Sequence, residues 1–540
     1  MTLTHPRPQK QSRKLSDSLG DSLPERLEPA FKKSSTDSPK RVFTRSILAL
    51  LAGTAIYRVL LAVFATDFVL VDDAYIHLRY ARNLIEQGFF AYNAGEAVFG
   101  LTSPLYGLVT AGLYGIFGGH VEVAVVVLNS LLWTVTGCLL AQELPRRSRL
   151  VLLGLFLLAP VFVDNQLLGM ETPLFVMLLV GAAQAARKGK VLQSAIWFGP
   201  ALITRPEAVL LVPFLLYGVS RQHGVPGALK RLTQPKALLA LLGPGLAWGT
   251  FAILTYGSII PQSMLAKSGW NSTHYDGFVS FQNALFTVPR LSFLPFVDYF
   301  PMSIQWGMSL GLVAAIGWVI RCNIRSGSAA SRAWLGFYLT YLGFYIVGKG
   351  ATEASWYAVP SSVALLCAAA PAIPVWLSNG KRRAPQWALI GFLVLASAAA
   401  SIKRGPLLNS YVQGYGASAD FLESYGESPL RATNKVVIGE IGVFGFKSQH
   451  PVVDVGALVS PEVLPWKNAG HSFTRIVQEA NAGFFVISNR ALELNMYPSV
   501  GTVWADDTER AWFDAHCRPI AKHLDKHTYE VLIDPISETP

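Results

Sequence analysis

VDDAYIHLRYARNLIEQGFFAYNAGEAVFGLTSPLY, residues 71–106, follows directly on the first long apolar run, about residues 46–69. Where this stretch lies relative to a membrane decides the fold. It opens on paired acids, Asp72 and Asp73, and continues through spaced arginines to an Asn-Ala-Gly-Glu turn and a Thr-Ser-Pro-Leu-Tyr segment. From Asp73 to about Glu86 the pattern is helical: Tyr75, Arg79, Arg82 and Glu86 share one face, and Ala74, Leu78, Ala81 and Ile85 the next. The spacing predicts an amphipathic helix lying on a bilayer surface.

The rest of the chain supplies the membrane. Its 540 residues are 51% hydrophobic and 15% charged, with a mean hydropathy of +0.37. Soluble domains carry roughly 25% charged residues. Apolar runs near the roughly 20 residues needed for a span recur between about 46 and 402. Shorter alternating segments, the mark of a transmembrane β-barrel, are not the pattern. The net charge of +11 is read as cationic loops on the inner side of a bilayer, not as a nucleic-acid surface. Cys138, Cys322, Cys367 and Cys517 are scattered without a CxxC pair, which implies neither a disulfide framework nor a cysteine metal site.

Charge arithmetic orients the runs. The basic connections are Arg146–Arg149, Arg187–Lys190, Arg221–Lys236, Arg321–Arg332 and Lys381–Arg383. They alternate with acidic or near-neutral ones: Asp164–Glu171, Arg205–Glu207, Gly257–Ser303 and Lys349–Ser355. The alternation survives only if Leu101–Gly119 stays at the outer surface as an interfacial or re-entrant helix. The expectation is a polytopic α-helical membrane protein with about eleven spans: 46–69, 121–143, 150–165, 171–186, 191–204, 207–220, 237–256, 304–320, 333–348, 356–377 and 387–402. Residues 1–45, with ten Lys/Arg against five Asp/Glu, read as a disordered cytoplasmic tail. From about 403 polar residues return. Strand-like runs at Lys435–Gly439, Pro451–Asp454, Phe484–Ser488 and Tyr529–Asp534 predict a small extracytoplasmic α/β domain over 403–540.

Asp72 and Asp73 either cap the helix they precede or supply a general base at the membrane surface, where a poorly solvated carboxylate has a raised pKa. Arg79 and Arg82 contact headgroups, pair with Glu86 or hold an anionic phosphate. Glu171 either caps the next helix or binds an acceptor or metal; Arg205 and Glu207 flank a proline break, as a structural pair or facing a polar cavity. Lys267, in the long outer loop, is a further phosphate candidate, and Trp356 reads as an interfacial anchor.

The ordered set of acid pair, Tyr-Ile-x-x-Arg-Tyr-Ala-Arg-Asn-Leu, Asn-x-Gly-Glu and Thr-Ser-Pro-Leu resembles the GT-C fold membrane glycosyltransferases. Gly169–Pro173, Thr204–Glu207, Pro261–Lys267, Gly439–Gly442 and Asp454–Leu458 continue the match over about residues 46–460. The pattern is most similar to the actinobacterial cell-wall β-arabinofuranosyltransferase group. More distantly it is similar to protein O-mannosyltransferases and the lipid A aminoarabinose transferase. The resemblance implies an inverting transferase of a bacterial plasma membrane that takes a sugar from a polyprenyl-phosphate donor. The acceptor would be a glycan, lipid or protein on the extracytoplasmic face.

It implies Asp72 as the base and Asp73 as its helper or part of a divalent-cation site. Arg79, Arg82, Arg205 and Lys267 would serve the donor phosphate, and Glu171, Glu207, Tyr75, Trp356 and Tyr357 the acceptor or its support. The chain leaves the family pattern at Val98–Thr102, where a Glu is lost, and at Trp356-Tyr357, where an Arg is lost and with it a phosphate ligand. A lipid-linked-sugar transporter or a non-catalytic envelope-assembly scaffold are the alternative readings.

Overall fold

Helix α1 (Asp72–Gln87) starts on the two acids and stops at Gly88, whose φ of 72° lets its N–H turn back to the last carbonyls of the helix. Exposure is confined to its last turn, at Ile85, Glu86 and Gln87; Ala74, Tyr75 and the run from His77 to Asn83 are buried. The expected surface helix is therefore corrected. α1 is covered on one side by α2 (Pro104–Phe117) and on another by a short helix of the C-terminal part. Its arginines find backbone carbonyls there instead of headgroups.

The computed structural model describes residues 69–270, 301–347, 355–378, 410–426 and 433–534, with isolated positions at 52, 53, 56, 60, 429 and 431. The tail 1–45, the span expected at 387–402, nearly all of that at 46–69 and the connection Lys349–Glu353 lie outside the described residues.

After α2 the chain continues through a 3-10 turn into α3 (Val121–Glu143), then α4 (Arg146–Leu158), α5 (Pro160–Leu167), α6 (Thr172–Arg187) and α7 (Val191–Leu202). A 3-10 stretch at Pro206–Leu211 leads to α8 (Val212–Leu232), α9 (Pro235–Tyr256) and α10 (Gln262–Trp270); α11 (Met302–Ser326), α12 (Ala329–Val347), α13 (Ser355–Ala368) and α14 (Ala372–Ser378) follow. By length and composition three helical runs among the described residues can cross a membrane, not eleven: Pro104–Glu143, Pro235–Tyr256 and Gln305–Ser326. Several of the others are too short, and the 21-residue α8 is broken by a kink at Gly224. At 1.5 Å per residue the 16 residues of α6 and the 12 of α7 span less than a hydrocarbon core of about 30 Å. Proline also cuts the run expected at 150–165 into α4 and α5, at Pro160.

The C-terminal part begins with a helix over 410–424 (α15) and builds one sheet. Its strands are β1 (Val436–Ile438), β2 (Val452–Asp454), β3 (Phe484–Ser488), β4 (Cys517–His523) and β5 (Lys526–Val531), in the order β2-β1-β3-β5-β4. β1 runs parallel to β2 and β3, and β5 antiparallel to β3 and β4. α16 (Gly442–Lys447) crosses from β1 to β2; α17 (Val463–Asn468) and α18 (Phe473–Glu479) precede β3, and α19 (Asn489–Leu494) and α20 (Asp507–His516) lead to β4. One apolar core joins the two parts: Leu70, Tyr75, Leu78, Phe90, Val121 and Met170 pack with Val436, Ile438, Phe444 and Phe484. Each such side chain contributes on the order of 2 kcal/mol by burial, which fixes the sheet against the start of α1.

Candidate active site

Adjacent positions on a helix point about 100° apart, and the acid pair is divided by that rotation. Asp72 turns to the C-terminal part. Its Oδ2 accepts the N–H of Gly442 at 2.7 Å and its Oδ1 that of Val443 at 2.9 Å, so both oxygens serve the first turn of α16. Asp73 turns the other way, within electrostatic reach of Lys267, His77 and Glu171. Burial pushes the Asp73 carboxyl above the usual range; Lys267 and His77 pull it back and Glu171 adds to the rise. Burial also raises Asp72, and the neighbouring Glu440 carboxylate raises it further.

The pocket around Asp73 is built by the broken helices. Gly169, at a φ of 80°, turns the chain so that Glu171 precedes α6 without capping it through its side chain. Glu171 lies 3.5 Å from Arg205 Nη1 and 3.7 Å from His77 Nε2, with all three side chains buried. The break at Pro206 holds Arg205 in extended backbone, and its Nη2 donates to Glu207 Oε1 at 3.0 Å. Glu207 also accepts from the Tyr345 hydroxyl at 2.6 Å. The Arg205 guanidinium lies 4.7 Å over the Tyr357 ring, and Lys267 Nζ donates to the Tyr357 hydroxyl at 3.2 Å. Glu171 Oε2, Arg205 Nη1 and His77 Nδ1 are buried and make no hydrogen bond among the described residues.

Arg79 and Arg82 stand elsewhere. Arg79 donates to the carbonyls of Tyr92 at 2.9 Å, Gly445 at 2.6 Å and Ser448. Arg82 donates to those of Phe446 and, at 2.9 Å, Ser448. With Asp72 at its start and the two arginines at its end, α16 has both termini satisfied by α1. A Cβ at Gly442 would collide with the Asp72 carbonyl oxygen. Gly442→Ala is therefore expected to lower the thermal midpoint of the purified protein, at a cost of about 2 kcal/mol or more; an unchanged midpoint would count against this contact.

The structure thus brings Asp73, Glu171, Arg205, Glu207, Lys267 and Tyr357 together. It separates from them Arg79, Arg82 and Tyr75, whose hydroxyl donates to Glu122 at 2.5 Å. Trp356 touches the cluster through its ring contact with Tyr357, at 6.1 Å. Two members were not among the expected site residues. His77 sits four residues after Asp73 on the same helix face, a spacing visible in the sequence. Glu440 is carried in by the sheet; the sequence marks it only as part of the Gly439–Gly442 stretch, a strand-turn or acceptor-recognition element. Among the described residues no group of three or more His, Cys, Asp or Glu is arranged to hold a metal. The pocket's acids face Lys267 and Arg205, so these residues do not fit a divalent cation.

No protein-family model matches the sequence, and no curated protein matches it. Solved structures do. ArnT from Cupriavidus metallidurans in the apo state has a TM-score of 0.53 and 14% identity, over 91% of this chain and 98% of that one. ArnT bound to undecaprenyl phosphate gives 0.49 and 14%, over 90% and 98%. The Archaeoglobus fulgidus oligosaccharyltransferase in the apo form gives 0.48 and 12%, over 88% and 73%. At such identities the likeness is one of fold and leaves the arabinofuranosyltransferase group unconfirmed: the chain shares its fold with apo ArnT.

Proposed function

We propose that the chain is a membrane glycosyltransferase that moves a sugar from a polyprenyl-phosphate donor to an extracytoplasmic glycan, lipid or protein acceptor, with Asp73 as general base. The observation that carries this reading is the pocket in which Asp73 lies within electrostatic reach of Lys267 and Glu171, with Glu171 3.5 Å from Arg205. ArnT, whose apo form shares the fold, binds undecaprenyl phosphate.

In the proposed step Asp73 takes the proton of an acceptor hydroxyl. The acceptor oxygen bonds to the anomeric carbon as the carbon–oxygen bond to phosphate breaks, with inversion. The bonding pair leaves with the polyprenyl phosphate, whose charge Lys267 and Arg205 stabilise, Arg205 Nη1 being buried without a hydrogen bond among the described residues. Glu171 and Glu207 hold Arg205 in place, and Tyr357 lies beneath both cations. The base role passes from Asp72 to Asp73 because both Asp72 oxygens already accept backbone N–H groups. The expected site of action is the bacterial plasma membrane, with the C-terminal part outside.

Envelope glycans from cells with and without the protein test this reading by mass spectrometry. Loss of a defined glycosyl residue is expected, and identical glycan profiles would contradict it. A finer outcome concerns Lys267. Lys267→Met is expected to raise KM for the donor about tenfold or more. It also removes the charge that holds the Asp73 pKa down, so the acid limb of the pH–rate profile moves to higher pH. An unmoved limb would remove Lys267 from the pocket's electrostatics.

A further inference from the structure

β1 connects through α16 to β2 on one side of the sheet, whereas the chain leaving β3 goes to β4, at the far edge on the other side, and returns through β5 beside β3. Neighbouring strands whose connections part in this way leave a crevice at their carboxyl ends, the usual ligand position in open α/β sheets. The residues at this crevice bear chemistry. Glu440 stands two positions past the end of β1. Ser488, the last residue of β3, pairs with Lys526, the first of β5. Lys526 Nζ lies 4.4 Å from the Tyr411 ring centroid and 4.7 Å from that of Tyr415, both on α15. The Tyr411 hydroxyl hydrogen-bonds Glu440. Gly439 lets the Tyr497 hydroxyl approach so closely that a Cβ would meet it.

We infer that this crevice is the acceptor subsite, and that Glu440 with Tyr411 binds the hydroxyls of a neutral glycosyl acceptor. The inference rests on the proposed transferase reading. A carboxylate accepts sugar hydroxyls, and phenol rings offer both an apolar face and a polar edge. Among the described residues nothing at this crevice favours an anionic acceptor: its lysine, Lys526, is already paired with Asp525 at 2.9 Å. The cations of the site, Lys267 and Arg205, gather among the helices that precede the sheet, and the hydroxyl-binding groups gather at the sheet. Asp73 is within electrostatic reach of both Lys267 and Glu440, as a base between donor and acceptor must be.

The test uses the purified full chain and its Glu440→Gln and Tyr411→Phe variants. One arm is an array of neutral pentose and hexose oligosaccharides with uronate-containing controls; the other is undecaprenyl phosphate binding by native mass spectrometry. Wild type is expected to retain neutral glycans, and each variant to lose about tenfold or more in that binding with lipid-phosphate binding unchanged. Equal glycan binding by wild type and both variants would overturn the subsite. So would retention of acidic glycans alone, or of none. Failure of wild type to bind undecaprenyl phosphate would instead strike the donor reading, and the glycan arm would still decide the subsite.

Discussion

Asp73→Asn is expected to abolish sugar transfer, with a fall of about 10²–10⁴-fold in kcat, the usual contribution of a positioned general base. The substitution keeps shape and removes a buried charge, so the protein should insert and purify as wild type does. The pH dependence carries the sign. Transfer needs ionised Asp73, and burial raises its pKa. Activity is therefore lost as pH falls through a value above the ordinary carboxylate figure of about 3.9. Asp72→Asn should behave differently. An amide presents one oxygen where the carboxylate presents two, so an NH2 group confronts the N–H of either Gly442 or Val443. That variant should lose stability by about 1–3 kcal/mol and keep the wild-type acid limb in whatever activity remains. Steady-state rates over pH on both purified variants check this. An Asp73→Asn enzyme with full activity would end the assignment.

Arg79→Met should have the largest effect on stability. Arg79 is 2% exposed and feeds three backbone carbonyls, two of them on the C-terminal part. A thioether satisfies none of them, and each orphaned acceptor costs about 1–3 kcal/mol. Loss of about 3 kcal/mol or more is expected, read as a lower thermal midpoint in detergent. Arg79→Lys should recover little, because an ammonium lacks the planar fork that reaches several carbonyls at once. A midpoint equal to wild type in Arg79→Met would show that α1 does not hold α16.

The sequence marked the right stretch and misjudged its surroundings for physical reasons. The doubled acid at 72–73 is plain in the chain, but two acids one step apart on a helix look alike until their partners are known. Asp72 meets Gly442 and Val443, 370 and 371 residues away. The arginine face of α1 was equally visible, yet its partners are carbonyls near residue 446, and carbonyls carry no sequence signal. Strands β1, β2, β3 and β5 announced themselves through Val, Ile, Phe and Tyr. β4 did not, because CRPIAKH is a largely polar edge strand containing a proline. The eleven spans came from hydropathy and the alternation of loop charge, neither of which separates a crossing helix from a short apolar one packed inside the protein. Glu171 and Arg205 were legible as charges at helix breaks, and Lys267 as a cation in the long outer loop. That they close on one pocket depends on the packing of α1, α6 and α10, which no local pattern encodes.

The central claim is transfer from a lipid-phosphate sugar, and it is tested most directly in detergent, where no transmembrane gradient exists. Purified wild type and Asp73→Asn would be incubated with polyprenyl-phosphate-linked sugars drawn from envelope lipid extracts, with envelope glycan as acceptor. Mass spectrometry would follow the free polyprenyl phosphate and the extended glycan. Wild type is predicted to release the lipid phosphate and extend the glycan, and Asp73→Asn to do neither. No release by wild type, together with movement of the intact lipid across liposomes containing it, would contradict the account and make the chain a transporter.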